Sequence, residues 1–278
     1  MVSTSIIKPC EVLQPYISLY ALRSFNTGNF TMPKPYHAIK ESYLTFFLKE
    51  NKTCLLTDDA GKEISSFSNA FCNISTHSNG CTWYKGDYAL LSLQFTANGI
   101  SSIFGIPQSQ LVNSLIRAED ILGNDNELLT EQLSSCITIS QMGELLNTYF
   151  TKKLLQQKNN HYHNIITHVS NIISQRNGLV SIDAMAYQFN VSTRTLERRF
   201  IDHVGMPVKL YARVARFHHA VDDKMLNPGK SWTKITYDNG YYDQSHFIKD
   251  CKEFSSKSPE ELFKYTPVPK EDIKEINS

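Results

Sequence analysis

Cysteine is scarce and scattered in this 278-residue chain. The six cysteines, at positions 10, 54, 72, 81, 136 and 251, form no Cys-x-x-Cys pair and no regular spacing, which speaks against a disulfide framework or a structural zinc site and fits free thiols in a reducing compartment. Charge of one sign is lacking too. The formal net charge is +1, which taken alone argues against a polyanionic partner, because duplex DNA is bound by excess Lys and Arg. No Gly-x-Ser-x-Gly elbow, P-loop or dinucleotide-binding glycine pattern occurs, so the common hydrolase and nucleotide-binding chemistries have no motif to rest on. No apolar run approaches the length of a membrane span, and Lys8-Pro9 interrupts the segment where a signal peptide needs an unbroken apolar stretch. A soluble, intracellular, cytoplasmic protein is expected.

The histidines are equally unassembled. His161, His163 and His168 have no Cys or carboxylate at supporting spacing, and the adjacent His218 and His219 point in different directions on a helix. His37 and His77, with Glu41 or Glu63 as a third ligand, match no known metal spacing. A metal-free, cofactor-free chain is the expectation.

What is present begins with size. At 278 residues and 41% hydrophobic content the chain exceeds one average domain and can bury a large core. The small net charge hides an asymmetry: residues 1–160 carry 12 basic against 13 acidic side chains, whereas 161–257 carry 13 against 9. The basic excess is modest and C-terminal.

Over residues 42–95, short apolar or aromatic runs (43–48, 54–57, 67–74 and 88–95) alternate with turn-rich clusters such as Asp58-Asp59-Ala60-Gly61 and Ser78-Asn79-Gly80, the pattern of an antiparallel β domain. Trp83, Tyr84, Tyr88 and Phe95 read as core or pocket-lining aromatics. From about Ile116 the period changes, and Met142, Leu145, Leu146, Tyr149, Phe150 and Leu154 fall on one helical face. That stripe is expected to serve as a homodimer contact, with intramolecular packing as the alternative. A polar stretch at 156–160 reads as a linker. The fold class is therefore α+β: a sensor or dimerisation domain at 1–157, a small barrel or sandwich to about 115 and helical over 116–157, then an all-α domain at 161–267 and a tail at 268–278.

The helical part contains an internal repeat, which needs no outside comparison to be seen. "SIDAMAYQFNVSTRTLERRF", starting at Ser181, and "SWTKITYDNGYYDQSHFIKDC", starting at Ser231, both run cap, short helix, tight turn, longer helix. Ser181 and Ser192 can accept from unpaired first-turn amides. Asn177-Gly178 ends the preceding helix, built on Ile165, Ile166, Val169, Ile172 and Ile173, and Asn239-Gly240 supplies the second unit's turn. This is the helix-turn-helix order, in which the second helix enters the major groove by its N-terminal residues. Between the units, Leu210, Val214, Phe217 and Val221 mark a connecting helix over 207–220. Its 14 residues span about 21 Å, compatible with two groove segments about 34 Å apart on one face of the duplex.

Residues 161–267 resemble the DNA-binding region of the AraC/XylS transcription regulators, through Ala186, Ser192, Arg198 with Arg199, Phe200 and Gly205 in the first unit. The connecting helix matches through Tyr211, Arg216 and Ala220, and the second unit through "GYYDQSHFIKDCKEF" and Ser258-Pro259. Three positions depart from the family pattern: Thr236 for Ala, Cys251 for Phe and Ser256 for Gly, which predicts a less rigid second unit. "LQFTANGISSIFGIPQSQLVNSLIRAEDILG", starting at Leu93, is similar to a sensor-type domain attached to such regulators and implies β structure followed by helices.

With Leu196 and Phe200 facing the core, Thr193, Arg194, Glu197 and Arg198 fall on the opposite side, where the resemblance also places DNA-facing residues. Arg donates two bonds to guanine and Glu accepts from cytosine, so base reading is expected of Arg194, Glu197 and Arg198, and phosphate contact of Thr193. In the second unit Phe247 and Cys251 face inward, leaving Gln244, Ser245, His246 and Lys249 outward, with Gln244 suited to adenine. The plainer alternative is a solvated helix face, with Glu197 merely pairing a neighbouring Arg.

The resulting expectation is a non-enzymatic, sequence-specific regulator that binds double-stranded DNA at two adjacent major-groove segments. The N-terminal domain controls it through a small molecule or dimerisation. The resemblance adds activation, with RNA polymerase as a further partner. The competing expectation is a cupin-like small-barrel metal enzyme with a DNA-tethering helical domain.

Overall fold

A computed structural model describes residues 2–49, 54–58, 60–78, 80–157, 161–264 and 271–275. The N-terminal region is built on two sheets. Strands β1 (Val2–Ile7), β2 (Ile17–Asn26), β4 (Ser42–Phe47), β7 (Ala70–Cys72), β9 (Asp87–Phe95), β10 (Leu115–Arg117) and β11 (Glu271–Glu275) form a seven-stranded sheet in the order β10-β7-β4-β9-β2-β1-β11. Strands β3 (Met32–Pro35), β5 (Cys54–Thr57), β6 (Glu63–Phe67) and β8 (Cys81–Tyr84) form a four-stranded sheet in the order β3-β8-β5-β6. Pairing is antiparallel throughout except for β11, which joins β1 in parallel from the far end of the chain.

The period of two along each strand sorts side chains between two environments. On β9, Leu91, Leu93 and Phe95 are fully buried in the main core, whereas Leu90, Ser92 and Gln94 line a cavity on the opposite face. Helices cover the core face: α1 (Gly99–Phe104), a 3-10 turn (Gln108–Gln110), α2 (Ala118–Leu122), α3 (Asp125–Ser135) and α4 (Ile139–Leu155). A capping box starts α4, in which Thr138 accepts from the Gln141 amide and Gln141 reaches back to the Thr138 amide.

Helix α4 bears on the two readings of its apolar stripe. Met142, Leu146 and Phe150 are buried beneath the sheet, and Leu145, Tyr149 and Leu154 pack against the same cluster. Phe150 meets Phe95 and Phe104 edge-on, with ring centroids 6.1 Å apart in each pair. The buried part of the 142–154 stripe, Met142, Leu146 and Phe150, thus packs inside one chain, the intramolecular alternative, each fully buried large apolar side chain being worth roughly 1.5–3 kcal/mol where it already sits.

The C-terminal region is helical: α5 (His161–Gln175), α6 (Ile182–Gln188), α7 (Thr193–Val204), α8 (Val208–Leu226), α9 (Trp232–Asp238), α10 (Gln244–Ser255) and α11 (Pro259–Lys264). The connecting helix α8 has 19 residues, about 28 Å at 1.5 Å per residue, and is longer than the 14 expected because the polar Asp222-Asp223-Lys224 extension has local partners. Asp223 holds Lys230 at 2.5 Å and accepts from the Asn239 side-chain Nδ2 at 2.9 Å. Of the 156–160 linker, residues 158–160 lie outside the described residues, and so do the side chains of His161 and His163.

Candidate DNA-binding interface

Each unit is held by local chemistry that the sequence announces. Ser181 accepts from the Ala184 amide and Ser192 from the Thr195 amide, starting α6 and α7. Ser231 accepts from the Lys234 amide and Asp243 from the His246 amide, starting α9 and α10. The turns use left-handed backbone at Asn190 (φ 52°) and Gly240 (φ 69°). Inward, Leu196, Phe200 and Val204 join Met185 and Ala186 in one cluster. Phe247, Cys251 and Phe254 join Ile235 and Phe217 in another.

Helix α8 carries both clusters, with Tyr211 and Ala212 in the first and Val214, Phe217 and Ala220 in the second. Arg213 pins it to α10 through Asp250 at 2.6 Å and Glu253 at 2.7 Å. Arg216 donates to the Gly178 carbonyl at 3.3 Å and lies over the Tyr241 ring at 5.4 Å, bridging the start of the first unit to the turn of the second. Gly178 is irreplaceable there, since an added Cβ would sit 2.0 Å from the Ala212 carbonyl oxygen.

With the cores so occupied, Thr193, Arg194 and Arg198 stand exposed on α7, and Ser245, His246 and Lys249 on α10, with Gln244 half-buried in the first turn. Two of these carry intramolecular side-chain bonds. Thr193 donates to Asp183 at 2.9 Å, tying α7 to the first helix of its unit. His246 Nδ1 lies 3.0 Å from the Asp243 carboxylate. The His246 backbone amide, donating to that carboxylate, holds it below its ordinary range, aided by the ring.

Glu197 departs from the expected role. Its carboxylate accepts from the Val208 amide at 3.2 Å, and the residue before that amide, Pro207, has no side chain able to cap α8. Glu197 therefore satisfies an orphan donor at a helix N-terminus, with favourable dipole charge, instead of facing outward beside Arg194 and Arg198. Tertiary packing set this, because the acceptor's target lies 11 residues away on the next helix.

The family departures in the second unit are absorbed in different ways. Thr236 is buried but donates to the Trp232 carbonyl at 2.8 Å, and Cys251 is fully buried, its thiol pushed up by desolvation. Ser256 takes a left-handed C-cap, φ 59°, where the first unit has Gly205 at φ 88°. Residues the sequence reading passed over include Asp183, the cap Asp243, and the Arg213 pair with Asp250 and Glu253. Only Asp243 carried a local signal, as an Asp immediately before a helical run.

Among the described residues, no group of three or more His, Cys, Asp and Glu side chains stands together as a metal site would. His37, His77, Glu41 and Glu63 are thus not gathered in the way the cupin-like reading requires. No described helix is long and apolar enough to cross a membrane.

Residues 185–265 match a protein family described as a helix-turn-helix domain. No curated protein matches the chain. Among solved structures, a lysine-to-alanine variant of apo ToxT from Vibrio cholerae strain SCE256 is 13% identical, covering 89% of this chain and 98% of that one with a TM-score of 0.47. Wild-type ToxT from the same strain, bound to unsaturated fatty acid, is 14% identical over 90% and 96%, with a TM-score of 0.46. The AraC-like transcriptional activator CuxR is 13% identical over 72% and 76%, with a TM-score of 0.30. At such values the superpositions carry no functional argument. The family match and the paired, capped units on a shared helix agree on one conclusion: residues 185–265 of this chain form a helix-turn-helix domain.

Proposed function

We propose that the chain is a sequence-specific transcriptional regulator whose two recognition helices enter adjacent major-groove segments, under the control of a small molecule bound by the N-terminal region. The observation that carries this is the exposure of Arg194 and Arg198 on α7 and Lys249 on α10, each helix capped and backed by its own buried cluster. Rigid backing matters because a reading side chain must arrive at a base edge already oriented.

In this reading the boundaries fall at 1–157, 161–267 and a 268–278 tail. Arg194 and Arg198 read bases, Thr193 reaches phosphate after giving up Asp183, Gln244 reads a base, and Ser245, His246 and Lys249 grip the backbone. Glu197 drops from the readers and becomes the residue that orients α8. Activation with RNA polymerase as the second partner completes the proposal on family resemblance, and the activity is binding rather than catalysis.

Selection of genomic fragments bound by the full chain tests it. Enrichment of two short motifs centred about 10 base pairs apart is expected; no enrichment, or enrichment of one isolated motif, overturns it.

A further inference from the structure

The two units repeat the same turn but do not leave it equally free. Asn190 and Gly240 stand at the same distance from the caps Ser181 and Ser231, and both take left-handed backbone, φ 52° and 69°, which Asn and Gly accept better than other residues. Backbone conformation alone therefore does not demand glycine in the second unit. A neighbour does. Leu179, from the loop that starts the first unit, lies over Gly240, where an added Cβ would sit 2.6 Å from the leucine Cδ2.

That loop is a fixed piece of the first unit. The amides of Asn177, Gly178 and Leu179 donate to the Ser174, Ile173 and Arg176 carbonyls at 3.1, 2.8 and 2.8 Å, which holds the loop to the end of α5. Helix α5 in turn sits in the first cluster through Ile165, Ile166, Val169 and Ile173. From there the loop reaches three places. Asn177 Nδ2 lies 2.9 Å from His219 Nε2 on α8, the Gly178 carbonyl takes the Arg216 bond, and Leu179 meets the second unit's turn. Arg216 continues the contact to the ring of Tyr241, a member of the second cluster.

Helix α8 shows why such a link matters. Val208, Tyr211, Ala212 and Ala215 serve the first cluster, and Val214, Phe217 and Ala220 the second. At 3.6 residues per turn these two sets lie on nearly opposite faces, so each unit grips its own side of one rod. Apolar attraction is non-directional, and a link running from unit to unit supplies a restraint against rolling about the rod that burial on it does not. Rolling one unit would swing its reading helix out of step with the other.

We propose that loop 177–179, together with Arg216, is a lock between the units that fixes the separation and phase of α7 and α10, which makes Leu179 and Arg216 positioning residues for the motif spacing the chain accepts. This rests on the regulator reading and adds to it a source of specificity that touches no base. One inserted base pair moves the second motif about 3.4 Å along the duplex and about a tenth of a turn around it. Locked units must then strain or give up contacts.

The test compares the selected site with versions in which one base pair is added or removed between its two motifs, by gel-shift titration of the full chain. The native chain is expected to bind the altered sites about tenfold more weakly, a loss similar to that from one wrong base pair. Leu179→Ala, at a position 47% exposed, reduces that penalty to about threefold. Arg216→Lys, which keeps the charge and loses the flat face, does the same and serves if the first variant fails to fold. Arg198→Ala, which removes a reading contact, weakens all three sites alike and keeps the tenfold ratio. Without DNA, spin labels on ketone-bearing residues in place of the exposed Ile201 and Lys252 report the distance between α7 and α10. A narrow distribution is expected for the native lock and a broader or shifted one once Leu179→Ala or Arg216→Lys is introduced. Native binding indifferent to the added base pair, a penalty unchanged in a folded lock variant, or distances unchanged in that variant overturns the proposal. The distance measurement involves no DNA, so a failed fragment selection removes the regulator reading while the labels still decide the lock.

Discussion

The two helix-turn-helix units share one sequence pattern, yet the chain holds them differently. The first is clamped to the N-terminal region by α1 and the 3-10 turn, through Asn98, Ser101 and Gln108. Its core even borrows Ile74, Ala97 and Val112 from that region. Among the described residues, the second borrows only Ala38 and is braced instead by the Arg213 ion pairs and the aromatic contacts of Trp232 with Phe247 and Phe263. Repeated local chemistry thus specifies the motif, while the surroundings decide how independently each copy moves.

The largest effect that would sharpen this contrast comes from the core. Phe200→Ala should cost about 3–5 kcal/mol and loosen the N-terminal docking as well, because α7 carries His203 and is capped by Gly205 at that junction. Phe247→Ala, of similar size, should leave the junction intact. Domain-resolved hydrogen exchange distinguishes the two, and equal loosening of the junction would break the comparison.

Next comes DNA affinity. Arg198→Ala should cost about 1–3 kcal/mol on the cognate site and relax specificity at one position, with the melting temperature unchanged. Lys249→Ala should weaken binding evenly across sequences and reduce the salt slope by about 1. Gel-shift titrations at several salt concentrations check both, and unchanged affinity would remove Arg198 from the reading face.

Smaller still are the two C-caps. Gly205→Ser should destabilise by about 1–2 kcal/mol, the cost of left-handed backbone for a residue with a Cβ, with the added atom 3.0 Å from the Gln108 carbonyl. Ser256→Gly reverses that cost in the second unit, where the gain is partly offset by chain entropy, leaving about 0.5 kcal/mol of stabilisation. Thermal unfolding of both variants measures the pair.

The smallest contrast is in the N-caps. Asp243 is held below its ordinary range chiefly by the His246 amide, so its contribution is full above the unfolded carboxylate value, about 3.9, and fades as pH falls through the lower folded value. Ser192 does not titrate. Amides at the start of α10 should lose protection in acid while those at the start of α7 do not, and Asp243→Asn should abolish the difference.

Much of this organisation was legible in the residues. Ser181, Ser192 and Ser231 cap where the hydroxyl spacing said they would, and Leu196 with Phe200 and Phe247 with Cys251 face inward as their four-residue spacing required. The β region was legible in outline, though β1, β2 and β3 were passed over because residues 1–40 mix their alternation with Pro, Gly and Asn. The α4 stripe falls on one helical face as its spacing requires, but periodicity names a buried face without naming what covers it, and in the fold the sheet covers Met142, Leu146 and Phe150.

By itself, the sequence determined what depends on near neighbours: the caps, the turns at Asn190 and Gly240, the amphipathic faces and the duplication. Those interactions close within a few residues, so their chemistry can be read in order along the chain. Only the tertiary structure decided that Glu197 caps α8, that α4 roofs the sheet, and that Ala38 reaches the core of the second unit. Each of those depends on which distant surface arrives, and that is set by the burial of the whole core rather than by any local run of residues.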